Sequence, residues 1–109
     1  MRRDTGLPPG TLDMLILRVL QAAPLHGYAI ARHLKTVSDD VLQVGESSLY
    51  SALQRLLLNG GTKAEWGRSE NNRRARYYSV TAAGRRRLVA QRREFERMAT
   101  AIRQVLDST

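Results

Sequence analysis

Between positions 68 and 87 the chain carries seven arginines (Arg68, Arg73, Arg74, Arg76, Arg85, Arg86 and Arg87) against one acid, Glu70. A guanidinium is a planar fork of N–H donors that fits phosphate oxygens two at a time, so arginine at this density suits a polyanion. A second group lies upstream: Ser47, Ser48, Tyr50, Ser51, Gln54 and Arg55 supply hydroxyls, a phenol, an amide and a guanidinium within nine positions. Such groups hydrogen-bond base edges and flanking phosphates. The whole chain agrees in sign, with 18 Lys and Arg against 10 Asp and Glu, a net charge of +8. A field of that sign attracts nucleic acid first and an anionic membrane second.

Other chemistries find less support. His26 and His33 are the only histidines, there is no cysteine, and no carboxylate sits at ligand spacing to either imidazole. We expect no metal and no cofactor, and for His26 a capping or packing role. Gly60-Gly61-Thr62-Lys63 lacks the order of a phosphate-binding loop. No nucleophile, base and acid stand at recognisable spacing, so an enzyme is not expected. The longest apolar run, Met14 to Leu17, is far short of the ~20 residues that span a bilayer. Arg2 and Arg3 are followed by Asp4 and the Pro8-Pro9-Gly10 turn before any apolar stretch, unlike a secretion signal. The expected location is the cytoplasm.

The elements that must position these side chains fit one core, for which 109 residues with 42% hydrophobic content are sufficient. Residues 1–9, with Gly6, Pro8 and Pro9, read as an N-terminal arm that is flexible until docked. Thr11 is expected to cap a first helix over about 11–22, with Leu12, Leu15, Ile16, Val19 and Leu20 at helical spacing. A connector at Pro24-Leu25-His26-Gly27 leads to a second helix ending near Thr36. A third helix over 46–59 turns Leu49, Leu53, Leu56 and Leu57 inward and the hydrogen-bonding group outward, with Gly60 as its left-handed terminator. From Thr62 the period changes to two, and Arg76 to Val80 alternates likewise. These strands flank a polar loop over 67–74 and form a two-stranded wing, in which Trp66 is expected to anchor the core side. Thr81 then caps a last helix to about Leu106. In it Leu88, Phe95 and Ile102 fall seven apart, with Gln91, Met98 and Val105 at the other seam positions. The predicted fold is therefore mainly α with a small β wing: a winged helix-turn-helix over 10–80 and a dimerisation helix over 81–109.

Four segments bear a resemblance in order and spacing: Gly10-Thr11-Leu12-Asp13-Met14-Leu15-Ile16-Leu17; Pro24-Leu25-His26-Gly27-Tyr28-Ala29-Ile30-Ala31; Ser48-Leu49-Tyr50-Ser51-Ala52-Leu53-Gln54-Arg55-Leu56; and Arg73-Arg74-Ala75-Arg76-Tyr77-Tyr78-Ser79-Val80-Thr81-Ala82-Ala83-Gly84. Together they resemble the PadR family of bacterial transcriptional regulators over about residues 6–106. The resemblance implies a winged-helix homodimer, joined through its C-terminal helices, that binds a double-stranded operator and often represses neighbouring genes. It also allows a small-molecule effector between the paired helices, where Phe95 and Met98 would line the pocket; plain dimer core is the favoured reading of both. Departures from the family pattern stand at Ser48 (or Ser47), Ser51 and Leu57, where a glycine, a proline and a glutamate are usual. At Gly61 and Thr62 a bulky apolar residue and isoleucine are usual, so a loosely packed first wing strand is expected.

A charge run is more often a solvated face than a ligand site. Here it falls on the wing beside a polar third helix, which favours DNA. Tyr50, Ser51, Gln54 and Arg55, with Ser47 and Ser48, are expected near bases or phosphates, and Arg68, Arg73, Arg74 and Arg76 on phosphate around the wing. The alternative is a basic protein-interaction module paired through its last helix. The third helix argues against it, because its outer face lacks the apolar anchors of a protein interface.

Overall fold

The computed structural model describes residues 7, 8 and 10–109. Its elements run α1 (Thr11–Leu20), β1 (Leu25–His26), α2 (Gly27–Val37), α3 (Glu46–Leu58), β2 (Thr62–Arg68), β3 (Arg74–Val80) and α4 (Ala82–Leu106). Of the arm expected over 1–9, residues 1–6 and 9 lie outside the described residues. Leu7 packs against the core, and the Pro8 carbonyl accepts from the Thr11 N–H at 3.1 Å.

Three helices enclose one apolar cluster in which Ile16, Leu17, Ile30, Leu53 and Leu56 are the largest fully buried side chains. Each comes from the apolar stripe of its helix, as the 3.6-residue period requires. Leu57 is only half-buried and Ala52 takes the inward place beside Leu53. The start of α1 differs from expectation: Gly10, at φ +85°, is the N-cap and Thr11 is already helical. Glycine adopts that left-handed conformation without a Cβ clash, and the Gly10 carbonyl takes the Met14 N–H at 3.2 Å.

The sheet has three strands in the order β1-β3-β2, all antiparallel, where two were expected. Leu25 and His26, read from sequence as a connector, pair with Tyr78 and Tyr77. Two residues are too few to show a period of two, and only the partner strand makes them a strand. His26 then caps α2, its Nδ1 accepting from the Ala29 N–H at 3.2 Å.

The β2 ladder is complete from Thr62↔Val80 to Arg68↔Arg74, so the small residues at 61 and 62 do not loosen it. The Gly61 carbonyl accepts from the Thr81 N–H at 3.0 Å and the Thr81 hydroxyl at 3.1 Å, and Gly84 lets the two backbones meet, since a Cβ there would run into that same oxygen. Thr62 carries the cost, since its hydroxyl is buried without a hydrogen-bond partner. Thr81 caps α4 by accepting from the Gly84 N–H at 3.0 Å. The helix then continues for 25 residues, about 38 Å at ~1.5 Å per residue.

Candidate nucleic-acid interface

On α3, Ser47, Tyr50, Ser51 and Gln54 are exposed and Ser48 is half-buried. The spacing 47, 50, 51, 54 places the four exposed residues in one file on the helix. Leu58 extends the file as an exposed apolar residue. Arg55 has a partner within the chain, although its side chain stays 54% exposed. Its Nη2 donates to Asp13 Oδ1 at 2.7 Å and its Nε to Asp13 Oδ2 at 3.3 Å, a bidentate pair that ties α3 to α1. The Asp13 carboxylate, first by hydrogen bond and then by charge, pushes the guanidinium pKa above its usual value. Asp13 is nearly buried, so releasing Arg55 would strand a carboxylate in the core edge. Arg55 is therefore a positioning residue for α3.

A half-open cavity of about 560 Å³ separates α3 from the wing, with Tyr28, Leu49, Tyr50, Leu53, Arg76 and Tyr78 among its lining. Arg76 of the wing stands across it from Tyr50. Arg73, Arg74 and Arg76 are exposed, and among the described residues none forms an ion pair. Arg74 lies 4.3 Å over the Trp66 ring and Arg76 lies 6.0 Å from the centre of Tyr78. Arg68 donates to the Asn72 carbonyl at 3.1 Å and so braces the turn. Of the following run, Arg85 and Arg86 are exposed, whereas Arg87 donates to Asn59 Oδ1 at 2.7 Å and fastens α4 to the end of α3.

Several braces hold the hairpin rigid. The Tyr77 hydroxyl donates to the Arg68 carbonyl at 2.8 Å, and its ring lies where a Cβ on Gly67 would come to 3.1 Å. Asn72 takes φ +59° in the turn, and its N–H donates to the Ser69 carbonyl at 2.8 Å. Asparagine tolerates that left-handed geometry. His26 Nε2 stands 3.7 Å from Glu70 Oε1. The Glu70 carboxyl lies below its usual range, lowered chiefly by its own backbone N–H and then by His26.

Trp66 does not anchor the core: it is 59% exposed. The alternation with Thr62 and Ala64 holds, but the sheet leaves the core along its length, so a shared face is buried at its base and open toward its tip. On α4 the expected seam divides. Leu88 is buried in the core cluster, Gln91 is half-buried with Oε1 unpartnered, and Phe95, Met98, Ile102 and Val105 are exposed. Val89 and Leu106 are exposed as well, outside the seam read from sequence.

The sequence profile of the transcriptional regulator PadR-like family matches residues 16–90, well over half of the chain. The chain belongs to that family. Among solved structures, this PadR-family protein is similar to a transcriptional regulator from Clostridium thermocellum, with 30% identity, TM-score 0.80 and coverage of 87% of this chain and 92% of the other. It is also similar to a PadR family regulator from Eggerthella lenta, with 27% identity, TM-score 0.75 and coverage of 92% and 85%. A PadR family regulator from Clostridium difficile is similar too, with 27% identity, TM-score 0.74 and coverage of 89% and 99%. Membership makes the protein a DNA-binding transcriptional regulator with a winged-helix fold.

Proposed function

We propose that this PadR-family regulator is a cytoplasmic homodimeric repressor that binds a specific operator, with α3 in the major groove and the wing on the flanking backbone. The observation that carries this reading is the meeting of two chemically different surfaces at one groove, which Tyr50 of α3 and Arg76 of the wing both line. Tyr50 belongs to the exposed hydrogen-bonding file of Ser47, Tyr50, Ser51 and Gln54 on α3, and Arg76 to the exposed wing arginines Arg73, Arg74 and Arg76, none of which has a carboxylate partner among the described residues. The first suits base edges and the second suits phosphate. Residues 10–80 act as the DNA-binding domain. The exposed Phe95, Met98, Ile102 and Val105 of α4 support pairing with a second copy. Repression of neighbouring genes is the outcome that the family resemblance favours. A small-molecule effector between the paired helices would act on that interface.

The test is a binding selection on a randomised duplex library with the wild type and single alanine variants at Tyr50, Gln54 and Arg73. Tyr50→Ala and Gln54→Ala should change the preferred sequence. Arg73→Ala should weaken all duplexes alike and lower the salt slope by about one. With roughly 6–10 phosphate contacts per dimer, wild-type affinity should fall by ~10³–10⁵ between about 50 and 200 mM salt. A selection in which only the wing variant altered the preferred site would assign recognition to the wing.

A further inference from the structure

We propose that Trp66 is itself a DNA-contacting residue, an indole plate on the wing that Arg74 holds in place and that packs against the deoxyribose edge of a duplex beside the α3 site. This rests on the DNA-binding reading above and adds to it an apolar contact on a surface otherwise read as a phosphate clamp.

The argument begins with register. Residues directly opposite in an antiparallel pair share a face, so Thr62, Ala64, Trp66 and Arg68 lie on the same face as Val80, Tyr78, Arg76 and Arg74. Tyr78 and Arg76 on that face line the groove beside Tyr50 of α3. Trp66, directly across from Arg76, is therefore presented on the groove side of the outer strand.

The surroundings of the indole define its partner. Arg74 stacks on it at 4.3 Å, Arg76 is its cross-strand neighbour and Arg68 follows on the same face. Glu65 points from the opposite face, and Glu70 is turned to His26. The partner of this patch must be anionic to meet the arginines and apolar to cover the ring. A nucleic-acid backbone offers both, phosphates alternating with sugar faces. A second copy of the same cationic patch would be repelled. The Arg74 guanidinium over the ring makes no ion pair among the described residues, which leaves its N–H donors for phosphate. The bracing by Tyr77, Arg68 and Asn72 means that little conformational freedom is lost when the plate is covered.

Trp66 is the only tryptophan of the chain, so emission excited at the red edge, where the four tyrosines do not absorb, reports this site alone. The full chain is titrated at low salt with a short mixed-sequence duplex carrying a terminal dye, reading dye anisotropy, tryptophan emission and acrylamide quenching together. We expect the anisotropy rise to be accompanied by a shift in emission and a severalfold fall in quencher access, both reversed by high salt. Trp66→Ala should weaken duplex binding about tenfold with an unchanged salt slope, because no charge is lost, and Trp66→Phe should recover most of it. Anisotropy rising while emission and quencher access stay constant would overturn the proposal and leave the DNA-binding reading standing. An absence of any anisotropy rise would remove both. Quencher access that is low without DNA and rises on dilution would assign the indole to a second copy and overturn the proposal. The wild-type measurement decides even if Trp66→Ala fails to fold.

Discussion

Leu88 and Phe95 stand seven residues apart on one helix and one seam, yet Leu88 is 5% exposed and Phe95 51%. The first turns of α4 pack against the winged domain. Thr81 caps them, Gly84 meets Gly61, Arg87 reaches Asn59 and Leu88 completes the core cluster. Beyond Gln91 the same periodicity continues, and among the described residues Met98, Ile102 and Val105 stay exposed. A seven-residue repeat thus states which side of a helix is apolar but not what covers that side. Leu88 was assigned from sequence to the dimer seam; the structure places it in the protomer's own core.

The strongest challenge to that division is to charge the distal seam. On the dimeric reading, Phe95→Asp with Ile102→Asp should convert the assembly entirely to monomer in sedimentation. Far-ultraviolet circular dichroism should still report a folded winged domain, because neither residue belongs to its core. Operator affinity should collapse with the loss of the second half-site. An unchanged mass would show that the exposed face of α4 has another use.

Truncation along the same seam sharpens the contrast. Leu88→Ala removes a buried side chain from a packed cluster and should cost about 2–5 kcal/mol, with a denaturation midpoint that keeps the concentration dependence of the wild-type dimer. Phe95→Ala should instead weaken that concentration dependence, since stability gained through association follows mass action. Identical concentration behaviour in the two variants would mean that α4 is a single cooperative unit.

Helices were the legible part of this sequence, because α1, α3 and α4 each carry enough apolar turns for a period of 3.6 to stand out. What stayed hidden depended on distant partners. Leu25 and His26 become a strand only by pairing with β3, some fifty positions on. The pairing of Arg55 with Asp13 is hidden because the two stand 42 residues apart with no local spacing to announce it. Trp66 was placed on the correct face and given the wrong surroundings, since alternation does not show where a hairpin leaves its core. The exposed polar file of α3 and the exposed arginines of the wing were readable because each is clustered in sequence. The latch of Glu70 on His26 was not, as it joins a loop tip to a strand that the sequence did not reveal.

That latch gives the smallest expected effect, and its direction is fixed by protonation. The folded Glu70 carboxyl is more acidic than an ordinary one, held so first by its own backbone N–H and then by His26, with a further contribution from the charge of Arg32. The unfolded chain therefore binds more protons in mild acid. The stabilising contribution is present above the ordinary carboxyl range and is lost as pH falls through the lower folded value. Because the carboxylate is solvent-exposed, the contribution should sit at the weak end for surface pairs. Thermal melts of wild type and Glu70→Gln should show the wild type slightly ahead at about pH 7 and the two curves converging near pH 3. The winged domain as a whole would keep its core in both proteins, so the difference reads the hairpin tip alone. A gap of equal size at both pH values would assign the effect to the shape of the side chain and not to its charge.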